Sequence, residues 1–171
     1  MTMPLLFGAT VIVPDVVAPA HAAELRARFE VGYTRYALLD RGSYDVLHDP
    51  AEPELLATLA RIASEATGRL LGPAESRVVR LVPGDYLLAH HDRVHDDEPV
   101  EVMLDLSPAA VPGAEVHYRR RGQAFVRFPT TPNALTIVER GPTVTCNHTY
   151  VSKRHAGAVV RLIALLRPPT T

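Results

Sequence analysis

The sequence predicts an α+β fold in which two helices precede a barrel or sandwich of short β-strands. Apolar residues recur at helical spacing only ahead of Ser76; beyond it, short β-type segments alternate with Pro, Gly and charged breaks. Helices gathered at one end of a strand-rich chain pack against one sheet, which is the α+β arrangement. No repeat, low-complexity tract or linker interrupts the 171 residues. That length suits one domain with a sizeable core, residues 1–75 forming a helical support region and 76–171 the strand core.

Taken in order, Ala9 to Val13 is a short strand stopped by Pro14. Pro19 to Phe29 is Ala-rich, with Leu25 and Phe29 one helical turn apart. Tyr33 to Leu39 alternates as a strand does, and Asp40-Arg41-Gly42-Ser43 turns the chain. A second helix is expected from Pro53, a good first-turn residue, to Leu71, closed by Gly72-Pro73. Its buried stripe is Leu55, Leu56, Leu59, Ile62, Ala63, Ala66 and Leu70. The strand core then reads Val78–Val82, Tyr86–His91, Val100–Leu106, Glu115–Tyr118, Ala124–Phe128, Leu135–Val138, Thr143–Tyr150 and Ala158–Leu166.

Charge and composition narrow the function. With 18 basic and 19 acidic residues, a net charge of −1 and a pI near 6.7, no bulk field favours nucleic acid or a membrane surface, and a small-molecule ligand is expected. The single cysteine, Cys146, excludes an internal disulfide framework and suits a reducing, cytoplasmic location; it reads as a small core residue. Pro4–Val13 followed by Ala20-His21-Ala22 has the outline of a secretion signal. No Lys or Arg precedes it, however, and Pro14-Asp15 interrupts it, so it reads as mature sequence. No stretch approaches the ~18 uninterrupted apolar residues of a membrane span. Oligomeric state is left open.

The chemistry is concentrated in Gly84-Asp85-Tyr86-Leu87-Leu88-Ala89-His90-His91-Asp92. Residues i and i+2 of a strand point to the same face, roughly 6.6 Å apart along the chain, so His90 and Asp92 offer an imidazole and a carboxylate to one metal while His91 points away. A distant second His completes a 2-His-1-carboxylate facial triad. A second His-x-Asp, His95 and Asp97, falls in the polar run Asp92–Glu98 and reads as a solvated loop. For the third ligand, His148 lies on the strand-like Thr143–Tyr150, sharing a face with Val144 and Cys146; His155 competes from a polar run. His21, His48 and His117 take bland readings on a helix, a loop and a strand. Arg119-Arg120-Arg121 reads as a hairpin tip.

Arg161 is the only charge in Ala158–Leu166. A near-continuous apolar run is a strand buried on both faces, where an unpaired guanidinium costs several kcal/mol, so Arg161 needs an anion. A ligand carboxylate, an internal pair with Glu101 or Asp105, and a sheet edge reaching solvent all meet that need.

Together, Gly84, Tyr86, His90 and Asp92, a strand like Val100–Leu106, Gly113-Ala114-Glu115, His148 and Arg161 resemble the Fe(II)/2-oxoglutarate-dependent dioxygenases, specifically the prolyl-4-hydroxylase-like branch. The resemblance covers roughly Val78 to Arg167. It implies a double-stranded β-helix, a jelly-roll or cupin-like barrel, holding Fe(II) on His90, Asp92 and His148. It also implies Tyr86 and Arg161 as binding residues for 2-oxoglutarate, with O₂ as oxidant and ascorbate as a reductant. The thirteen residues from His148 to Arg161 exceed the family's usual spacing, which keeps Arg154 as a rival anchor. The implied activity is hydroxylation, or another C–H oxidation, of a small amino-acid-like or biosynthetic intermediate. Asp92 at the carboxylate corner speaks against halogenation; desaturation, cyclisation and epimerisation stay open. Two rival readings of the same barrel are a cupin-like metal-dependent hydrolase or isomerase and a catalytically silent ligand-binding barrel.

Overall fold

The structure, a computed structural model, describes residues 10–89, 100–141 and 143–170. Among these residues, eleven strands and two helices follow in the order β1 (Thr10–Val13), α1 (Pro19–Phe29), β2 (Thr34–Leu38), β3 (Gly42–His48), α2 (Pro53–Thr67), β4 (Gly72–Leu81), β5 (Tyr86–Leu87), β6 (Val100–Asp105), β7 (Glu115–Arg120), β8 (Gln123–Pro129), β9 (Leu135–Glu139), β10 (Val144–His148) and β11 (Val159–Arg167). All pairings are antiparallel, in the order β1-β9-β6-β11-β4-β3-β5-β10-β7-β8, with β2 beside β3. The last eight strands form two four-stranded runs, β9-β6-β11-β4 and β5-β10-β7-β8. The chain crosses between the runs at every connection except the β7–β8 hairpin, which winds it into a double-stranded β-helix.

Strand alternation creates two cores. On β11, Val160, Leu162, Ala164 and Leu166 face the helices, meeting Leu25 and Phe29 of α1 and Leu59 and Ala63 of α2. Val159 and Ile163 face the barrel interior with Val79, Leu87, Met103, Tyr118 and Cys146. Hence β11 is apolar on both faces, as its sequence requires. Cys146 is a buried free thiol in the interior core.

Three expectations are corrected. The second helix stops at Thr67, because Gly68 takes a left-handed C-cap (φ 68°) and Ser64 Oγ accepts Leu71 N at 3.0 Å. Leu70 is consequently 74% exposed and leaves the buried stripe. Gly42-Ser43 and the residues to His48, read as turn and loop, form β3. This strand carries a buried carboxylate, Asp45, satisfied by Arg80 Nε at 2.9 Å and, more weakly, by Arg35. The first 75 residues thus contribute three strands and the start of β4, besides the helices.

β3 joins the two runs. Asp45–His48 pair with β4, whereas Gly42 and Ser43 pair with Leu87 and Tyr86 of β5. Gly42 has φ 113°, and a Cβ there would lie 2.1 Å from the Tyr86 carbonyl oxygen, so only glycine permits this approach. Beside it, buried Asp85 accepts both Arg35 Nη atoms (2.6 and 2.5 Å), Ser43 Oγ (2.8 Å) and Val82 N (3.0 Å). Burial raises the Asp85 pKa, but these donors outweigh it and hold the carboxyl below the usual carboxylate range.

Gly42→Ala is expected to cost about 3 kcal/mol or more, since backbone must move, while Gly68→Ala, with nothing within 4 Å of its Cβ, should cost about 1 kcal/mol for its left-handed backbone alone. Urea denaturation separates the two, and equal losses would contradict the β3–β5 constraint. Because the folded Asp85 pKa is depressed, its stabilisation is fully present above the unfolded value of about 4 and lost as pH falls through the folded value. Asp85→Asn should therefore lower Tm near neutrality and flatten its acid limb. An unchanged limb would place the acid sensitivity elsewhere.

Candidate active site

His148 closes β10 opposite Leu87 of β5 and Val116 of β7. Its strand alternates, so His148 shares the interior face with Val144 and Cys146. Arg161 is the third residue of β11, opposite Val79 of β4 and Asp105 of β6, and its odd register puts it on the same interior face as Val159 and Ile163. Both side chains are buried, and they touch: Arg161 Nη1 lies 2.9 Å from His148 Nδ1. Arg161 Nη2 donates to the Ala114 carbonyl at 3.3 Å.

What Arg161 lacks is as informative. Among the described residues no carboxylate forms an ion pair with it. Asp105, its cross-strand neighbour, spends Oδ1 on Ser107 N (2.9 Å) and Oδ2 on Thr131 N (2.7 Å). Burial accordingly lowers the Arg161 pKa, with the Asp105 charge opposing the shift from a distance. Glu101 is committed elsewhere, accepting Arg140 Nη1 and the Tyr118 hydroxyl (2.6 Å) inside the same barrel. Burial and Glu101 together push the Tyr118 pKa well up. Burial would lower the Arg140 pKa, but the Glu101 charge reverses this and raises it. Since β11 lies between β4 and β6, the sheet-edge alternative for Arg161 also fails. The geometry leaves a buried cationic fork at one end of the barrel interior and a compensated charge pair beyond it.

The other sequence candidates fall as follows. His90 and Asp92 lie outside the described residues, as do His91, His95 and Asp97. Tyr86 is on β5, on the opposite face from Leu87, and Leu87 is the residue aligned with His148. Arg154 is exposed in the turn after β10, and His155 follows it, half-buried. His117 faces out of the barrel, with Nε2 2.7 Å from Glu115 Oε2. Arg120 ends β7, and Arg121 and Gly122 make the hairpin turn with φ 52° and 77°. Sequence reasoning did not single out Arg140. Its partner Glu101 left a signal, a lone charge between apolar residues of β6, but Arg140 sits beside Gly141 after β9 with nothing in its neighbours to mark it.

Neither a family model nor a curated protein matches the chain. Solved structures do. An oxidoreductase of the 2OG-Fe(II) oxygenase family from Burkholderia pseudomallei superposes with a TM-score of 0.71 at 16% identity, over 93% of this chain and 85% of that one. A prolyl-4-hydroxylase from Pseudomonas putida gives 0.71 at 17% identity, over 95% and 94%. The fold is that of the Fe(II)/2-oxoglutarate oxygenases. A non-haem α-ketoglutarate-dependent epimerase of nogalamycin biosynthesis shares it as well, with a TM-score of 0.68 at 17% identity, over 95% of this chain and 78% of that one. Among the described residues, no helix is long and apolar enough to cross a membrane.

The two buried charge sites should respond oppositely to mutation. Glu101→Ala takes its carboxylate partner from the buried Arg140 guanidinium and should cost about 3–5 kcal/mol, whereas Arg161→Leu removes a charge with no ion-pair partner among the described residues and should leave stability unchanged or higher. Denaturant midpoints decide this, and a large loss in Arg161→Leu would mean that the guanidinium is a structural element.

Proposed function

We propose that the protein is an Fe(II)- and 2-oxoglutarate-dependent oxygenase that oxidises a C–H bond of a small molecule. The observation that carries this is Arg161, a buried guanidinium without a carboxylate ion-pair partner among the described residues, pointing into a double-stranded β-helix beside His148. An Arg fork matches a carboxylate bidentately, and the C5 carboxylate of 2-oxoglutarate satisfies it. His148, with His90 and Asp92, supplies the 2-His-1-carboxylate set suited to Fe(II). When bound, iron and co-substrate supply the O₂ chemistry that oxidative decarboxylation to succinate drives.

The residues have definite tasks. Arg161 can only donate, so its contact makes His148 Nδ1 the acceptor and leaves the ring hydrogen on Nε2. Ligation through Nε2 requires the hydrogen on Nδ1, and ligation through Nδ1 requires that atom's lone pair; either displaces Arg161 from the ring. With His148 given to a metal, the Arg161 fork would be left to hold the carboxylate of the co-substrate. Val79, Leu87 and Val159 give this end of the barrel apolar walls, beside which a charge-assisted contact is stronger than in water. Asp92 at the carboxylate corner favours hydroxylation or another C–H oxidation over halogenation. Neighbours of this fold include a prolyl-4-hydroxylase and an epimerase, consistent with either outcome.

With Fe(II), 2-oxoglutarate and ascorbate, slow succinate release without substrate is expected, and anaerobic Fe(II) plus 2-oxoglutarate should give a weak visible charge-transfer band. Arg161→Lys should weaken 2-oxoglutarate about ten- to a hundredfold while Arg154→Lys changes little, and His148→Ala should abolish Fe(II) binding. Absence of both band and succinate would favour a cupin-like hydrolase or a silent barrel. Normal metal binding in His148→Ala would transfer the third ligand to His155.

A further inference from the structure

We propose that Thr149 is a positioning residue that aims the Arg161 fork at the carboxylate of the co-substrate. The co-substrate rests on the oxygenase reading; the placement of the fork does not. Thr149 follows His148, where β10 ends, and its backbone amide donates to the Glu115 carbonyl at 2.9 Å. Its hydroxyl does more. Oγ1 accepts Glu115 N at 2.8 Å and donates to the Gly113 carbonyl at 2.8 Å, so one side chain grips the residues on either side of Ala114. Threonine suits this task because its branched Cβ restricts χ1 and with it the direction of the hydroxyl.

Ala114 is the residue on which Arg161 rests. Its carbonyl accepts Arg161 Nη2 at 3.3 Å, while Nη1 lies 2.9 Å from His148 Nδ1, and Ala114 and His148 are both buried. The contacts close a ring that runs from His148 through Thr149, the Gly113–Glu115 segment and Arg161 back to His148. Within it, the peptide link between His148 and Thr149 and the two hydrogen bonds of the hydroxyl fix how far the Ala114 carbonyl stands from the imidazole. That separation sets the plane of the guanidinium, which is rigid and held at both Nη atoms. Thr130 secures the same carbonyl from the other side, through N at 3.2 Å and Oγ1 at 2.7 Å. When Nη2 turns to a ligand, Ala114 therefore keeps hydrogen bonds and no buried acceptor is left unsatisfied.

The test compares Thr149→Val, which keeps the branched shape and loses the hydroxyl, with Thr149→Ser, which keeps the hydroxyl. Gly68→Ala, at the cap of α2 with nothing within 4 Å of its Cβ, controls for lost stability. When 2-oxoglutarate is titrated by calorimetry into the anaerobic Fe(II)-loaded full chain, Thr149→Val should bind it about tenfold more weakly than the unmodified protein. Thr149→Ser should stay within about threefold, and Gly68→Ala should match the unmodified protein. In the metal-free chain, NMR of the ring nitrogens should find the His148 hydrogen on Nε2, with Thr149→Val spreading it over both nitrogens as the Arg161 contact loosens. Unchanged affinity in Thr149→Val, an equal loss in Thr149→Ser or Gly68→Ala, or an unaltered His148 ring in Thr149→Val would overturn the proposal. If the unmodified protein binds no 2-oxoglutarate but the ring responds as expected, the oxygenase reading falls and the placement of the fork by Thr149 stands. If it binds 2-oxoglutarate and all three variants match it, the reverse holds.

Discussion

Burial of β11 on both faces is the constraint from which the architecture follows. Its even-numbered residues seal the sheet against α1 and α2, and its odd-numbered ones line the barrel, so no face remains on which a charge could reach water. Placing an arginine at the third position of such a strand commits the interior to an anion. The flanking strands do not supply one as an ion pair within reach. Asp105 is turned to backbone amides at the β6 end, and Glu101 is taken by Arg140 and Tyr118. The unmet demand of one side chain, rather than the shape of any cavity, singles out this end of the barrel as chemical.

The interior handles its two guanidiniums in opposite ways. Arg140 is met by the Glu101 carboxylate, which the Tyr118 hydroxyl also donates to, and by the Val144 carbonyl, so its charge is compensated. Around Arg161, the neighbours are an imidazole nitrogen and a backbone carbonyl, neither of which carries negative charge. A compensated buried pair contributes little net stability but fixes the packing of its surroundings; an incompletely compensated one stores free energy that a ligand releases on arrival. Rigidity and binding capacity thus occupy separate parts of one core.

Much of this was legible in the sequence, and the misses have physical causes. The strands from Val100 onward were found because each is bounded by Pro, Gly or charge and filled with β-branched or aromatic residues. Arg161 stood out as a lone charge in an apolar run. β3 was missed because its inward carboxylate, Asp45, is neutralised by arginines from β2 and β4, pairings that no local pattern announces. Gly42 read as a turn residue, whereas its positive φ answers to the carbonyl of a strand far along the chain. The second helix ends at Thr67 rather than Leu71 because Gly68 is a stronger stop than Gly72-Pro73, taking up the left-handed cap at once. His90 and Asp92, the first sign of metal chemistry in the sequence, lie outside the described residues.

The way β3 is shared between the runs has a consequence for how this scaffold can diverge. The strand passes from β5 to β4 between Ser43 and Asp45, so the residue at the crossing is Tyr44, which also lines a groove between the β2–β3 hairpin and the inner face of β4 and β5. Closure of the barrel and the shape of the groove are therefore tied at that position, and a change there disturbs both. Among the described residues the facing β2 pairs with β3, and Arg41 lies outside either strand. Tyr36, Leu38 and Arg41 line the same groove from outside that crossing, so changes at them reshape the groove without reopening the seam.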